Sequence, residues 1–261
     1  MNISASMRDR KLVLIARAGD STSILYNALS KFYDTHVFLE EPPSATALMR
    51  SRVRRLGAFR VVGQVLFQVL VALPLSRASR GRRRAIIQEF NVSVEPPPQE
   101  KVDAVLSVND KASWDRIRSL TPDVIVINGT RILSKATLLA LGVPVINTHV
   151  GITPRYRGVH GAYWALVNKD LQHCGITVHL VDPGIDTGGI LHQALIHPTN
   201  KDNFTTYPTL QMAVGTKVLC QAVGEVMDGS ARVVAGPAGS KRWYHPTFWE
   251  YIRNYVRLGV R

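Results

Sequence analysis

Asn147 and His149 stand two residues apart at the end of an apolar run, Val143-Pro-Val-Ile-Asn147. In extended backbone such a pair projects from one face. An amide donor beside an imidazole suits carbonyl chemistry: the amide holds an oxygen that gains negative charge, and the imidazole handles a proton. A polar pair at a strand end also caps turns, so the pair alone decides nothing. Further along, Asp186 lies in Thr177-Val-His179-Leu-Val181-Asp182-Pro-Gly184-Ile-Asp186-Thr-Gly188. Taken alone it is a turn carboxylate between glycines; brought to the imidazole, it would orient the ring and favour its charged form.

The elements that must place these residues alternate. Residues 11–15 form a short apolar run, followed by the small-residue loop Ala16-Arg-Ala-Gly-Asp-Ser-Thr22 and a helical stretch over 23–33. Residues 36–39 read as a second strand and 92–94 as a strand edge before three prolines. Helices are expected over 113–120 and over 134–141, the latter closed by Gly142. The runs at 123–128 and 143–147 are almost wholly apolar, as strands buried on both faces of a parallel sheet are. Strand and helix in alternation predict an α/β doubly wound fold, which binds ligands outside the carboxyl ends of its strands.

A chain of 261 residues, 46% hydrophobic and 20% charged, has the composition of one globular domain and excludes disordered and collagen-like classes. Two cysteines, Cys174 and Cys220, exclude a disulfide scaffold and an all-cysteine zinc site. His192 and His197 have no partner at metal spacing, so no metal is expected. The N-terminus lacks the pattern of a secretory leader, and the cytoplasm is the expected compartment. The net charge of +13 favours polyanionic partners: nucleic acid, anionic lipid or a phosphorylated substrate. Ten arginines and no acidic residue lie between Arg50 and Arg84. Between the arginine clusters, residues 61–76 form an uncharged run of 16, short of the roughly 20 needed to cross a bilayer. A helix buried on the body or in a subunit interface, with arginines at its rim, is expected there.

Asn147-x-His149, a loop ending Pro154-x-Tyr156-Arg157-Gly158, and Val178-His179-x-Val181-Asp182-x-Gly184-x-Asp186-x-Gly188 occur in this order. Together they resemble the folate-dependent formyltransferases over about residues 123–193, with a weaker likeness near the N-terminal strand and loop. The resemblance implies a Rossmann-like, mostly parallel sheet and a catalytic domain over 1–200, interrupted by the basic and apolar insertion at about 45–90. A helical extension, 201–261, would pack on it. The resemblance also implies 10-formyltetrahydrofolate as co-substrate, a primary amine as acceptor, and Asn147, His149 and Asp186 as catalytic residues. The pterin pocket would be built partly from Arg131, Ile132 and Leu133 and from Val181 and Asp182. Gly151-Ile-Thr153 stands where many members have Ser-x-Leu, and the stretch after Gly158 is one that varies in the family.

Three acceptors follow from that family. Enzymes acting on methionyl-tRNA add a β-barrel RNA-binding domain, for which the 61 residues after Asn200 look too few and too helical, so no nucleic acid is expected. Glycinamide ribonucleotide enzymes carry a Gly-x-Gly-Ser-Asn phosphate loop after the first strand, whereas Ala18-Gly19-Asp20-Ser21-Thr22 puts an aspartate there, which opposes a phosphate. The third class formylates nucleotide-linked dideoxyamino sugars, GDP- or dTDP-linked, of the bacterial lipopolysaccharide O-antigen kind. Arginines of the 50–84 segment would supply the cations a diphosphate needs. This third reading is preferred, with glycinamide ribonucleotide as the alternative. An alternative of another class is a non-catalytic nucleotide-binding or membrane-surface protein that uses residues 50–84 for peripheral contact. A homo-oligomer is expected.

Overall fold

The apolar runs become neighbouring strands in the computed structural model, which describes residues 9–236 and 239–261. The expectation about a leader therefore falls partly outside the described residues. In chain order the strands are β1 (Lys11–Ala16), β2 (Asp34–Glu40), β3 (Val102–Val105), β4 (Val124–Asn128), β5 (Val145–His149), β6 (Arg157–Gly158), β7 (Gly175–Leu180), β8 (Ile190–Leu195) and β9 (Arg242–Trp243). Seven form one sheet in the order β3-β2-β1-β4-β5-β7-β8, while β6 pairs with β9 apart from it. Strands β1 to β5 run parallel and β7 runs antiparallel to both its neighbours. The sheet is mostly parallel and flanked by helices on both faces, the doubly wound Rossmann-like class expected.

Double burial explains the apolar runs. On one face Leu12, Leu14 and Val126 pack under α1 (Asp20–Leu29), while Val13, Ile15, Ile125 and Ile127 fill the other. The long helix that carries Met212, Leu219, Ala222 and Val223 into the first core is α8 (Tyr207–Met227), which follows α2 (Ala45–Leu56), α3 (Ala58–Ala78), α4 (Arg80–Glu89), α5 (Lys111–Ser119), α6 (Lys135–Leu141) and α7 (Gly161–Val167). A last helix, α9 (Phe248–Leu258), begins at a capping box between Thr247 and Glu250. Helix α6 is capped by Ser134 and closed by Gly142 in the left-handed region, as its sequence indicates.

Two expectations are corrected. Residues 92–94 form no strand; Asn27 Nδ2 instead donates to the carbonyl of Glu95 at 2.8 Å and tethers this stretch to α1. The edge strand is β3, Val-Asp-Ala-Val, too short and too polar to be seen beside the apolar runs. The helix of the insertion is also longer than its 16-residue uncharged run. This helix, α3, is 21 residues long, with a π turn at Gln68–Ala72 and an 18-residue stretch of mean hydropathy 1.8. It runs past the uncharged stretch because Arg60 and Arg77 lie within its ends, so by length and composition it is sufficient to cross a bilayer. One face docks on the body: Val61, Gly63, Gln64, Phe67 and Ala72 are buried, and Phe67 meets Phe204 edge-on at 4.8 Å. The opposite face is open.

Candidate active site

Strands β5 and β7 pair in a register that sets Asn147 opposite His179 and His149 opposite Thr177. His179 Nδ1 lies 2.7 Å from the carbonyl of Leu180, which can only accept, so Nδ1 carries the proton and donates. Its Nε2 is then an acceptor, and Asn147 Nδ2 donates to it at 3.1 Å. Burial holds the pKa of His179 below its ordinary value, consistent with a neutral ring that fixes the direction of the Asn147 amide.

His149 is buried, and its Nε2 donates to the carbonyl of Tyr156 at 2.8 Å. That bond needs a close approach of two loop segments: a Cβ on Gly151 would collide with the Tyr156 carbonyl oxygen and crowd His149 Nε2. With Nε2 protonated, Nδ1 faces Asp186 Oδ1 at 3.3 Å. Nδ1 is then the ring atom free to take a proton, with the carboxylate beside it.

Asp186 reaches this position from the loop after β7. Its backbone is left-handed, with φ 52°. Asp182 Oδ1 accepts from the N–H of Gly184 at 3.0 Å and the hydroxyl of Thr187 at 2.7 Å, which closes the loop on itself. From β6, Arg157 Nε donates to the carbonyl of Ile185 at 2.7 Å and the Gly158 N–H donates to Asp186 Oδ2 at 2.9 Å. Oδ1 is left as the shared point, 3.4 Å from Asn147 Nδ2.

All eight residues singled out in the sequence line one cavity of about 430 Å³ at the carboxyl ends of β4 and β5: Asn147, His149 and Asp186, with Arg131, Ile132, Leu133, Val181 and Asp182. Arg131 lines it largely as part of the loop wall. Its guanidinium and its N–H both bind the buried carboxylate of Glu40, at 2.9 and 2.8 Å. Leu133 is buried and Ile132 is half exposed.

Sequence reasoning assigned no part to His179, Gly158, Glu40 or Arg242, the last of which lines the same cavity. His179 stands within the quoted motif, but its role depends on β5–β7 register, which no local pattern reveals. Arg242 belongs to a group of three guanidinium groups around the Tyr244 ring: Arg242 at 5.4 Å, Arg55 at 5.7 Å and Arg60 at 5.8 Å. Arginines of the insertion thus meet the same ring as Arg242, which itself lines the cavity. The cluster at 82–84 does not match the free cations expected of it, because Arg82 forms a two-pronged bond to buried Asp202, at 2.8 and 3.1 Å, and Arg83 donates to Ser76.

Comparison with known proteins agrees with this architecture. Methionyl-tRNA formyltransferase of Parabacteroides distasonis is 24% identical over 198 residues, covering 76% of this chain and 58% of the relative. The chain therefore spans less than two thirds of that relative's length. A sugar N-formyltransferase of a Shewanella species superposes with a TM-score of 0.56 at 14% identity, covering 90% of this chain and 76% of the other. Glycinamide ribonucleotide transformylase 1 of Symbiobacterium toebii gives 0.54 at 14% identity, covering 86% and 94%. These likenesses show the shared fold. The formyl transferase family profile matches residues 68–223, more than half of the chain, across β4, β5, β7 and the loop bearing Asp186. The chain belongs to the formyl transferase family.

Proposed function

We propose that this protein transfers a formyl group from 10-formyltetrahydrofolate to the primary amine of a nucleotide-linked dideoxyamino sugar. The observation that carries the reading is the meeting of Asn147, His149 and Asp186 around one carboxylate oxygen at the wall of the cavity. The cavity suits a flat heterocycle, since Ile127, Leu133 and Val181 supply apolar wall. The loop of Arg131, Ile132 and Leu133, with Val181 and Asp182, would hold the pterin. When bound, 10-formyltetrahydrofolate supplies the activated formyl group.

The chain's own groups divide the remaining work. Asn147 Nδ2 has two hydrogens; one is held by His179, and the other lies against Asp186 at 3.4 Å, a long bond that yields to a more negative oxygen. That hydrogen supports negative charge building on a carbonyl oxygen. Asp186 Oδ1 and His149 Nδ1 hold and move the proton that an attacking amine must lose. The carbonyl of Tyr156 keeps the imidazole oriented and supports its positive charge.

Arg242 and Arg55 support a phosphorylated acceptor: both lie against the Tyr244 ring without a carboxylate partner among the described residues, whereas Arg60 is held by Glu250 at 3.7 Å. Asp20 in the first turn of α1 occupies the helix end where a glycinamide ribonucleotide phosphate would otherwise be favoured. The test is release of tetrahydrofolate from 10-formyltetrahydrofolate by the purified protein with GDP- or dTDP-linked amino sugars, glycinamide ribonucleotide or methionyl-tRNA. Release with an amino-sugar nucleotide alone is expected. Release only with glycinamide ribonucleotide or methionyl-tRNA would overturn the acceptor assignment, and release with none would overturn the activity.

A further inference from the structure

The open face of α3 has an order that a loose surface does not. Phe59, Val62, Leu66, Val69, Leu70 and Leu73 recur at the three- and four-residue spacing of a single helix face, and all are exposed. Phe59 is 76% exposed, and Val62, Val69 and Leu70 are each more than half exposed. Helix α9 packs along α3, with Phe59 stacked on Trp249 at 4.7 Å, and adds Ile252, Tyr255 and Val256, also exposed. Soluble monomers rarely leave so continuous an apolar surface uncovered.

Charge identifies what covers it. Arg50, Arg54 and Arg55 are exposed before the apolar helix, and Arg77, Arg80 and Arg84 are exposed after its apolar centre. The arginine–carboxylate pairs of the segment use Arg60 and Arg82, leaving these six without one among the described residues. A second copy seated face to face, in either direction, would set arginine clusters against arginine clusters. A helix crossing a bilayer would have to pull Phe67 from its contacts with Phe204 and Tyr251 and break the bond from Gln64 Nε2 to the His245 carbonyl. A helix held to the body along one face, apolar along the other and basic at both ends, fits the plane between lipid headgroups and acyl chains.

We propose that the exposed face of α3, with the outer edge of α9, docks on the surface of an anionic phospholipid bilayer. The test is flotation of the full chain with phosphatidylcholine vesicles with and without phosphatidylglycerol, at low and high salt. The protein is expected to float with the anionic vesicles, to remain largely at the bottom with phosphatidylcholine alone, and to bind less at high salt. A Val62→Ser, Val69→Ser, Leu70→Ser variant, altered only at exposed positions, is expected to lower partitioning by about tenfold or more with an unchanged melting temperature. Arg54→Gln, Arg80→Gln and Arg84→Gln together test the charged flanks while leaving the apolar face intact, and are expected to lower binding to anionic vesicles alone. Failure of the parent to float with anionic vesicles would overturn the proposal, as would parent-like flotation of both variants. A serine variant that turns a dimer into a monomer without changing flotation would assign the face to a second copy and equally overturn it.

Discussion

The neutral ring of His179 accepts a hydrogen bond from the side chain of Asn147 at 3.1 Å, across a β5–β7 pair that sets the two residues directly opposite. Because Nδ1 of the same ring is committed to the Leu180 carbonyl, the ring can only receive, and Asn147 can only turn its nitrogen toward it. His179 is therefore a positioning residue for the amide that would meet the carbonyl oxygen. His179→Ala is expected to lower kcat by about tenfold while leaving the KM for folate little changed. His179→Gln, whose amide oxygen also accepts, should recover part of the loss. Unchanged kcat in His179→Ala would show that Asn147 needs no such support.

Arg82 is expected to act in stability and not in acceptor binding. Asp202 has no exposed side-chain surface; burial works against its charge, yet the bonds from Arg82 and Thr199 hold its carboxyl below the usual range. Arg82→Gln leaves that carboxylate buried without its cation, a change that costs about 3 kcal/mol or more. Thermal unfolding should show a drop of several degrees, and acceptor KM should stay near the parent value. A retained melting temperature with a raised KM would return Arg82 to the phosphate site.

Stability is expected to fall on the acid side of neutrality, beginning well above the carboxylate range. His160 Nε2 and His245 Nδ1 lie 2.9 Å apart at a partly buried contact. Burial pushes His245 down to about 4, with the Arg52 charge adding to the effect, and burial together with the neighbouring His245 pushes His160 well below its ordinary value. Folded pKa values below the unfolded value of about 6.5 mean that the unfolded chain binds the extra protons. The contribution is thus complete above about pH 6.5 and is lost as pH falls toward the folded values, at up to about 1.4 kcal/mol per pH unit for each group. Melting temperatures measured from neutral pH down to about pH 4 should decline through this window. His245→Gln should flatten the decline; an identical pH profile would contradict the assignment.

Much of the site was legible because its parts are local. Asn147 and His149 share a face by strand periodicity, and the Gly-flanked Asp186 stood out by motif. The parallel strands β4 and β5 were visible because burial on both faces keeps β4 apolar up to Asn128 and opens β5 with Val145-Ile146. What stayed hidden was non-local. Strand β3 sits at an edge, where one neighbour and partial exposure remove the apolar signal. The pairing of Arg82 with Asp202 spans 120 residues, and the meeting of Arg55 and Arg60 with Tyr244 is made by the docking of α3. The length of α3 was hidden by Arg60 and Arg77, whose charges sit inside the helix near its two ends.

The central claim is that Asn147, His149 and Asp186 work as one centre for formyl transfer, with the last two placed to take the proton that the amine loses. The most direct measurement is tetrahydrofolate release from 10-formyltetrahydrofolate and an amino-sugar nucleotide by the parent and by Asp186→Asn, which keeps the shape of the side chain but cannot take up a proton as a carboxylate does. Asn147→Ala and His149→Ala would be run alongside, with melting temperatures to confirm folding. The account expects each variant to lose about a hundredfold or more in kcat while remaining folded. Turnover by folded Asp186→Asn within a few-fold of the parent would contradict it.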